Sequence, residues 1–170
     1  SATLDALRDA ALADFDNDEP LIIYSDALQQ AGDPRGEFIA LQLAPRRPAT
    51  EKRERELVRG HARDWIAPLD VAVRGDSIRF ERGFLHTCRV EGATASELEA
   101  LKGHPFWSTV RELDCDDMTF ATQPIFAGLL RGTFTAAALD VLAQRDAPLP
   151  LEGVISTPQM TYGLRLRFGM

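Results

Sequence analysis

The stretch Gly32-Asp33-Pro34-Arg35-Gly36-Glu37 sets one carboxylate and a guanidinium between two glycines, with a second carboxylate just after them. Such residues at such spacing could grip a phosphate or hold a catalytic acid. A phosphate loop, however, needs several inward-pointing backbone N–H groups and commonly a lysine. Pro34 removes one donor, no lysine follows, and the acids flanking Arg35 repel an anion. The stretch reads instead as a structural hinge, where one helix reverses into the next. Asp26, Gly32, Asp33, Pro34, Arg35, Gly36 and Glu37 form that hinge. Asp26, Arg35 and Glu37 are expected to act as an ion-pair and capping set, the arginine fork tying the second helix to the third.

Three other groupings invite a chemical reading. Asp114, Asp116 and Asp117 cluster where a strand ends, and oxygen ligands for Mg²⁺ or Ca²⁺ could converge there. Asp114 and Asp116 fall on one strand face, opposite the apolar residues, as solvated acids do, and no metal site is expected. His86 stands two residues from Cys88, close enough for a Cys–His dyad. A dyad needs an exposed thiolate, whereas both residues fit the apolar face of a strand. His61, His86 and His104 lie in no recognisable nucleophile motif, and catalytic residues are not expected.

The segment from Arg46 to Arg63 carries seven basic residues against three acidic. An arginine-rich helix can track a nucleic-acid backbone, and Arg46, Arg47, Arg53 and Arg59 mark the binding surface this would use. Glu51, Glu54 and Glu56 interleave with the cations, as on a solvated helix face. The two helices that meet at the hinge also resemble a helix-turn-helix, but the second offers only Glu37 and Gln42 to base edges. Nucleic-acid binding through residues 46–63 is the alternative reading, and a metal-dependent hydrolase using residues 114–117 a more distant one.

The elements that position these groups fall into two rhythms. Residues 1–68 are helical in pattern. Leu4, Leu7, Ala11 and Phe15 make one stripe. Pro20 suits the start of a second helix bearing Leu21, Tyr24, Leu28 and Ala31, with Ile22 and Ile23 broadening its apolar face toward a central position. Gly32 suits a left-handed helix end, Gly36 is expected to let the chain turn, and Glu37 to open a third helix. A fourth helix is predicted over 51–66, capped by Thr50, with Leu57, Val58, His61 and Trp65 inward.

Residues 69–170 alternate instead. Ile78 and Phe80, then Phe84, His86, Cys88 and Val90, mark strands around a turn at Gly83. Thr94 and Glu97 make a capping box for a short helix, and Val110, Leu113 and Cys115 mark another strand. Shifted by 41 residues, 88–115 overlies 129–156 without a gap: Thr94 meets Thr135, Leu98 meets Leu139, and Leu113 meets Val154. Leu164, Leu166 and Phe168 alternate as a last strand. Matching core positions at one offset point to stacked repeats, with strand–helix turns in the leucine-rich-repeat length range.

The stretch Glu19 to Ala44, followed by a charged helix and a Trp-x-x-Pro segment, resembles a bacterial family called the repeat-companion domain. The matching residues are Tyr24, Asp26, Leu28, Gly32, Asp33, Pro34, Arg35, Gly36, Glu37, Phe38 and Ile39. Ser25 stands where the family usually has Ala, and Ala27 where it usually has Trp. The resemblance implies a helical unit accompanied by leucine-rich or similar repeats, and a role in protein contacts rather than a reaction.

Composition sets bounds on function. A net charge of −7 over 170 residues argues against a general nucleic-acid binder. No apolar run approaches the ~20 residues of a membrane span. The first ten residues lack the pattern of a secretory signal. Two cysteines, with no C-x-x-C pair, suit buried thiols in a reducing cytoplasm. The fold class expected is α/β: an N-terminal helical cap followed by a short, degenerate leucine-rich-repeat-like β-α solenoid. The function expected is a non-catalytic adaptor module of a bacterial cytoplasm, with a protein partner, no membrane and no cofactor.

Overall fold

The computed structural model describes residues 1–115, 120, 123 and 125, with the backbone of three further strands at 131–135, 153–157 and 164–166. Helices and strands are mixed, as the α/β reading expects. The described helices are α1 (Ala2–Ala13), α2 (Asp18–Gln30), α3 (Pro34–Leu43), α4 (Pro48–Ile66) and α5 (Ala95–Leu101). The strands are β1 (Arg79–Glu81), β2 (Phe84–Val90), β3 (Glu112–Cys115), β4 (Arg131–Thr135), β5 (Gly153–Thr157) and β6 (Leu164–Leu166). The chain divides into two compact units. Residues 1–66 and 80–84 form the first, residues 67–79 and 85–170 the second. The alternating rhythm of the sequence assigns 80–84 to the strand half, but this short stretch groups with the helices.

In the first unit, local chemistry fixes each helix end. Ser1 caps α1 and Asn17 caps α2, where Asp18 and Glu19 meet the positive end of the helix dipole. The α2 C-terminus closes as a Schellman motif: the Gly32 N–H donates to Gln29 O at 3.0 Å and the Asp33 N–H to Leu28 O at 2.9 Å. Gly32 permits this with φ +76°. Helix α3 then begins at Pro34, three residues before the expected start at Glu37, because Asp33 is itself the N-cap and proline suits the first helical position. Helix α4 also begins early, at Pro48.

The apolar stripes meet around aromatic rings. Phe38 of α3 stacks on Trp65 of α4 at 4.7 Å, and the Phe80 ring meets both edge-on. Leu57 is buried in this cluster and Val58 packs against it. His61 stacks on Trp65, on the inward face that the sequence predicts. Ile22 and Ile23 depart from expectation. They are 49 % and 48 % exposed, because α2 buries Leu21, Tyr24, Ser25 and Leu28 instead.

Gly36 does not free the chain to turn. It lies inside α3, and a Cβ there would stand 2.6 Å from Ser25 O and 2.7 Å from Gln29 N. The glycine lets the α3 backbone press directly onto α2. Ser25 seals the crossing by donating its hydroxyl to Gly36 O at 2.8 Å.

In the second unit the strands lie side by side in chain order, β2 to β5 parallel and β6 antiparallel to β5. Helix α5 carries the predicted capping box at Thr94 and Glu97. Trp107 is fully buried and donates its indole N–H to Leu101 O at 2.9 Å. The register tests the sequence offset. Leu113 shares a transverse row with Gly132 and Val154, so the 41-residue match holds there. Cys88 shares the same row with Gly132, 44 residues on, so the gapless overlay fails at the first strand. The helix expected from Ala136 onward lies outside the described residues, as does Phe168.

Candidate functional site

The hinge is built from three pieces of the first unit: the α2–α3 junction, the end of α4 and the turn after β1. Arg82 and Gly83 both take positive φ, at 54° and 84°, the requirement of a tight two-residue hairpin turn. Gly83 has no alternative, since a Cβ would stand 2.1 Å from Ile39 Cγ1. The Gln42 side chain holds this turn to α3. Its carbonyl accepts from the Gly83 N–H at 2.7 Å and its amide donates to Phe80 O at 3.3 Å. Gln42, one of the two groups that α3 could offer to base edges, is thus engaged within the fold. Arg82 donates to Phe15 O at 3.0 Å and pairs with Asp18, fastening the turn to the α1–α2 connection.

Arg35 sits at the centre, 7 % exposed. Its Nε and Nη2 donate to Gly83 O at 3.3 and 3.1 Å, and its Nη1 donates to Trp65 O at 3.0 Å. Trp65 lies in the last turn of α4, where carbonyls lack helical partners and the dipole is negative. The cation therefore caps one helix and fastens a hairpin at once. Its guanidinium carbon lies 4.5 Å above the Phe84 ring, a cation–π contact. Burial pushes the Arg35 pKa down to about 10, opposed by Tyr24 and Asp33, so the group stays charged at neutral pH.

This geometry replaces the expected ion-pair set. Arg35 reaches backbone carbonyls. Asp33 accepts from the Arg35 N–H at 2.8 Å as the α3 cap. Glu37 is held by Arg53 of α4, with Nε–Oε1 2.7 Å and Nη2–Oε2 2.8 Å, and this hydrogen-bonded pair holds the Glu37 carboxyl below the usual range. Asp26 is exposed on α2. The tie between helices exists, but it runs from α3 to α4 through Glu37 and Arg53. The N–H groups that a phosphate would need are also engaged, since the Gly36 N–H donates to Asp33 O at 3.0 Å.

The other candidates separate. Cys88 is buried, and burial pushes its thiol far above the usual range, which opposes a thiolate nucleophile. His86 Nδ1 is 3.0 Å from the Thr87 hydroxyl. Asp114 pairs with Arg89 at 2.7 Å across β2 and β3. Asp116 and Asp117 lie outside the described residues. Among the described residues no group of three His, Cys, Asp or Glu side chains is placed to hold a metal ion. No described helix is long and apolar enough to cross a membrane.

Of the basic candidates, Arg46, Arg47 and Arg59 are exposed and Arg53 is committed to Glu37 and Glu56. Sequence reasoning missed the hub role of Gln42, Gly83 and Phe84. Gly83 carried the only signal, as a turn residue, and nothing local tied it to Arg35, 48 residues earlier. No family model, no curated protein and no solved structure matches this chain.

Proposed function

We propose that the protein is a non-catalytic interaction module of the repeat-companion type, working in the bacterial cytoplasm with a protein partner. One observation carries the reading: the polar groups of residues 33–37 are engaged within the fold. Asp33 caps, Pro34 starts a helix, Arg35 fastens three segments, Gly36 admits a close crossing and Glu37 pairs with Arg53. The most motif-like stretch of the chain is thereby a fastener, leaving recognition to exposed surfaces.

The strand order supports the second half of the reading. Parallel neighbours that follow chain order, with register partners at Cys88, Leu113, Gly132 and Val154, suit a short leucine-rich-repeat-like β-α stack accompanied by the helical unit. Stacked strands offer broad surfaces for protein contacts. Cross-linking mass spectrometry on the full chain in native lysate tests this. A recurrent protein partner is the expected result. Recovery of nucleic acid alone, or a turnover that needs added metal or nucleotide, overturns the reading.

A further inference from the structure

Helix α4 presents a row of exposed cations. Lys52, Arg55, Arg59 and Arg63 are all exposed, and no described carboxylate pairs with any of them. At helical spacing they occupy an arc of about 80° and run for about 16 Å along the axis. Arg55, Arg59 and Arg63 stand four apart, the spacing at which like charges on a helix repel. Glu56 borders the row but is drawn away to Arg53. In a chain with 26 acidic residues against 19 basic, such a row is a local reversal of charge.

We infer that this row is the recognition surface, and that its partner is a protein helix with one row of carboxylates spaced three or four residues apart. The inference rests on the protein-interaction reading above and names the partner's chemistry. Two helices laid side by side meet at the same axial interval of about 6 Å per four residues, so each cation finds a carboxylate, as flanking charges do in coiled coils. Nucleic acid fits less well. The row is narrow, and Glu56, exposed at its edge, would face the phosphates of a wider ligand. The nearby aromatic rings that could stack on bases, His61 and Trp65, are turned inward. The net charge of −7 also repels a polyanion at long range.

The test is fluorescence anisotropy on the full chain with a labelled alanine-based helical peptide carrying glutamates in one row. A peptide of identical composition, with its glutamates spread around the helix, is the control. The row peptide is expected to bind at low salt and to weaken by about tenfold or more as salt rises toward physiological strength. The double variant Arg55→Glu/Arg59→Glu should lose binding by at least a similar factor with an unchanged thermal melt. Arg46→Glu/Arg47→Glu, outside the row, should change it less than about twofold. Equal binding of the control peptide, indifference to the Arg55/Arg59 reversal, or tighter binding of an oligonucleotide than of the row peptide overturns the proposal. So does self-association of the wild type that the Arg55/Arg59 reversal abolishes, which would make a second copy the partner. A protein partner cross-linked from lysate that still binds the Arg55→Glu/Arg59→Glu variant would overturn this inference and leave the interaction reading standing.

Discussion

Replacing Arg35 by methionine removes the fastener while keeping much of its volume and apolar stem. Two buried carbonyls, Gly83 O and Trp65 O, then lose their donors. Each orphaned buried acceptor costs about 1–3 kcal/mol. Loss of the cation over Phe84 adds about 1 kcal/mol. Against this stands the relief of no longer burying a charge, a cost visible in the lowered Arg35 pKa. The expected net loss is about 2–4 kcal/mol. Arg35→Lys keeps the charge on a single point that can serve one carbonyl but not hold the fork, so about half that loss is expected. Equilibrium urea unfolding, followed by far-UV circular dichroism of α1–α4, measures both. With a slope of about 1–3 kcal/mol per molar urea, the methionine variant should unfold about 1–2 M earlier. A methionine variant within about 0.5 kcal/mol of the wild type would refute the reasoning, because Arg35 would then be dispensable to the fold.

Gly36→Ala separates packing from propensity: in an exposed helix the change would stabilise by about 1 kcal/mol, but here it should destabilise by about 1–3 kcal/mol, read by the same urea titration. Cys88 should resist a thiol reagent such as DTNB at pH 8 and react only as fast as the protein opens, since burial raises its pKa; immediate stoichiometric modification of the native protein would contradict this. The Glu37 pKa is lowered when folded, so its contribution is present above the ordinary glutamate value of about 4.3 and lost as pH falls through the lower folded value. Glu37→Gln should therefore lose less stability than the wild type on acidification through that window, and Arg53→Ala should return the Glu37 titration, followed by NMR, to the ordinary range.

What the sequence disclosed was local. The Thr94–Glu97 capping box and the left-handed Gly32 depend on neighbours within a few residues, and both stand where composition places them. Pro34 and Pro48 start their helices before the apolar pattern begins, since proline suits the first helical position. Periodicity shows that α2 has an apolar side but not its width, and α2 leaves Ile22 and Ile23 exposed. The Arg35 bonds span 30 and 48 residues, and the reason for Gly36 is a second helix backbone. No pattern within one segment encodes either. A gapless overlay likewise cannot register the three-residue difference between the Cys88–Gly132 and Leu113–Val154 spacings.

The central claim, that the hinge is an internal fastener and not a ligand site, is tested most directly by the side-chain ¹H–¹⁵N NMR signals of Arg35 in the full chain. The account predicts a slowly exchanging Nε–H, shifted upfield by the Phe84 ring and unmoved by added phosphate or nucleotide. A fast-exchanging signal at the position of a solvated arginine, or one that moves in a saturable way as phosphate or nucleotide is added, would contradict it.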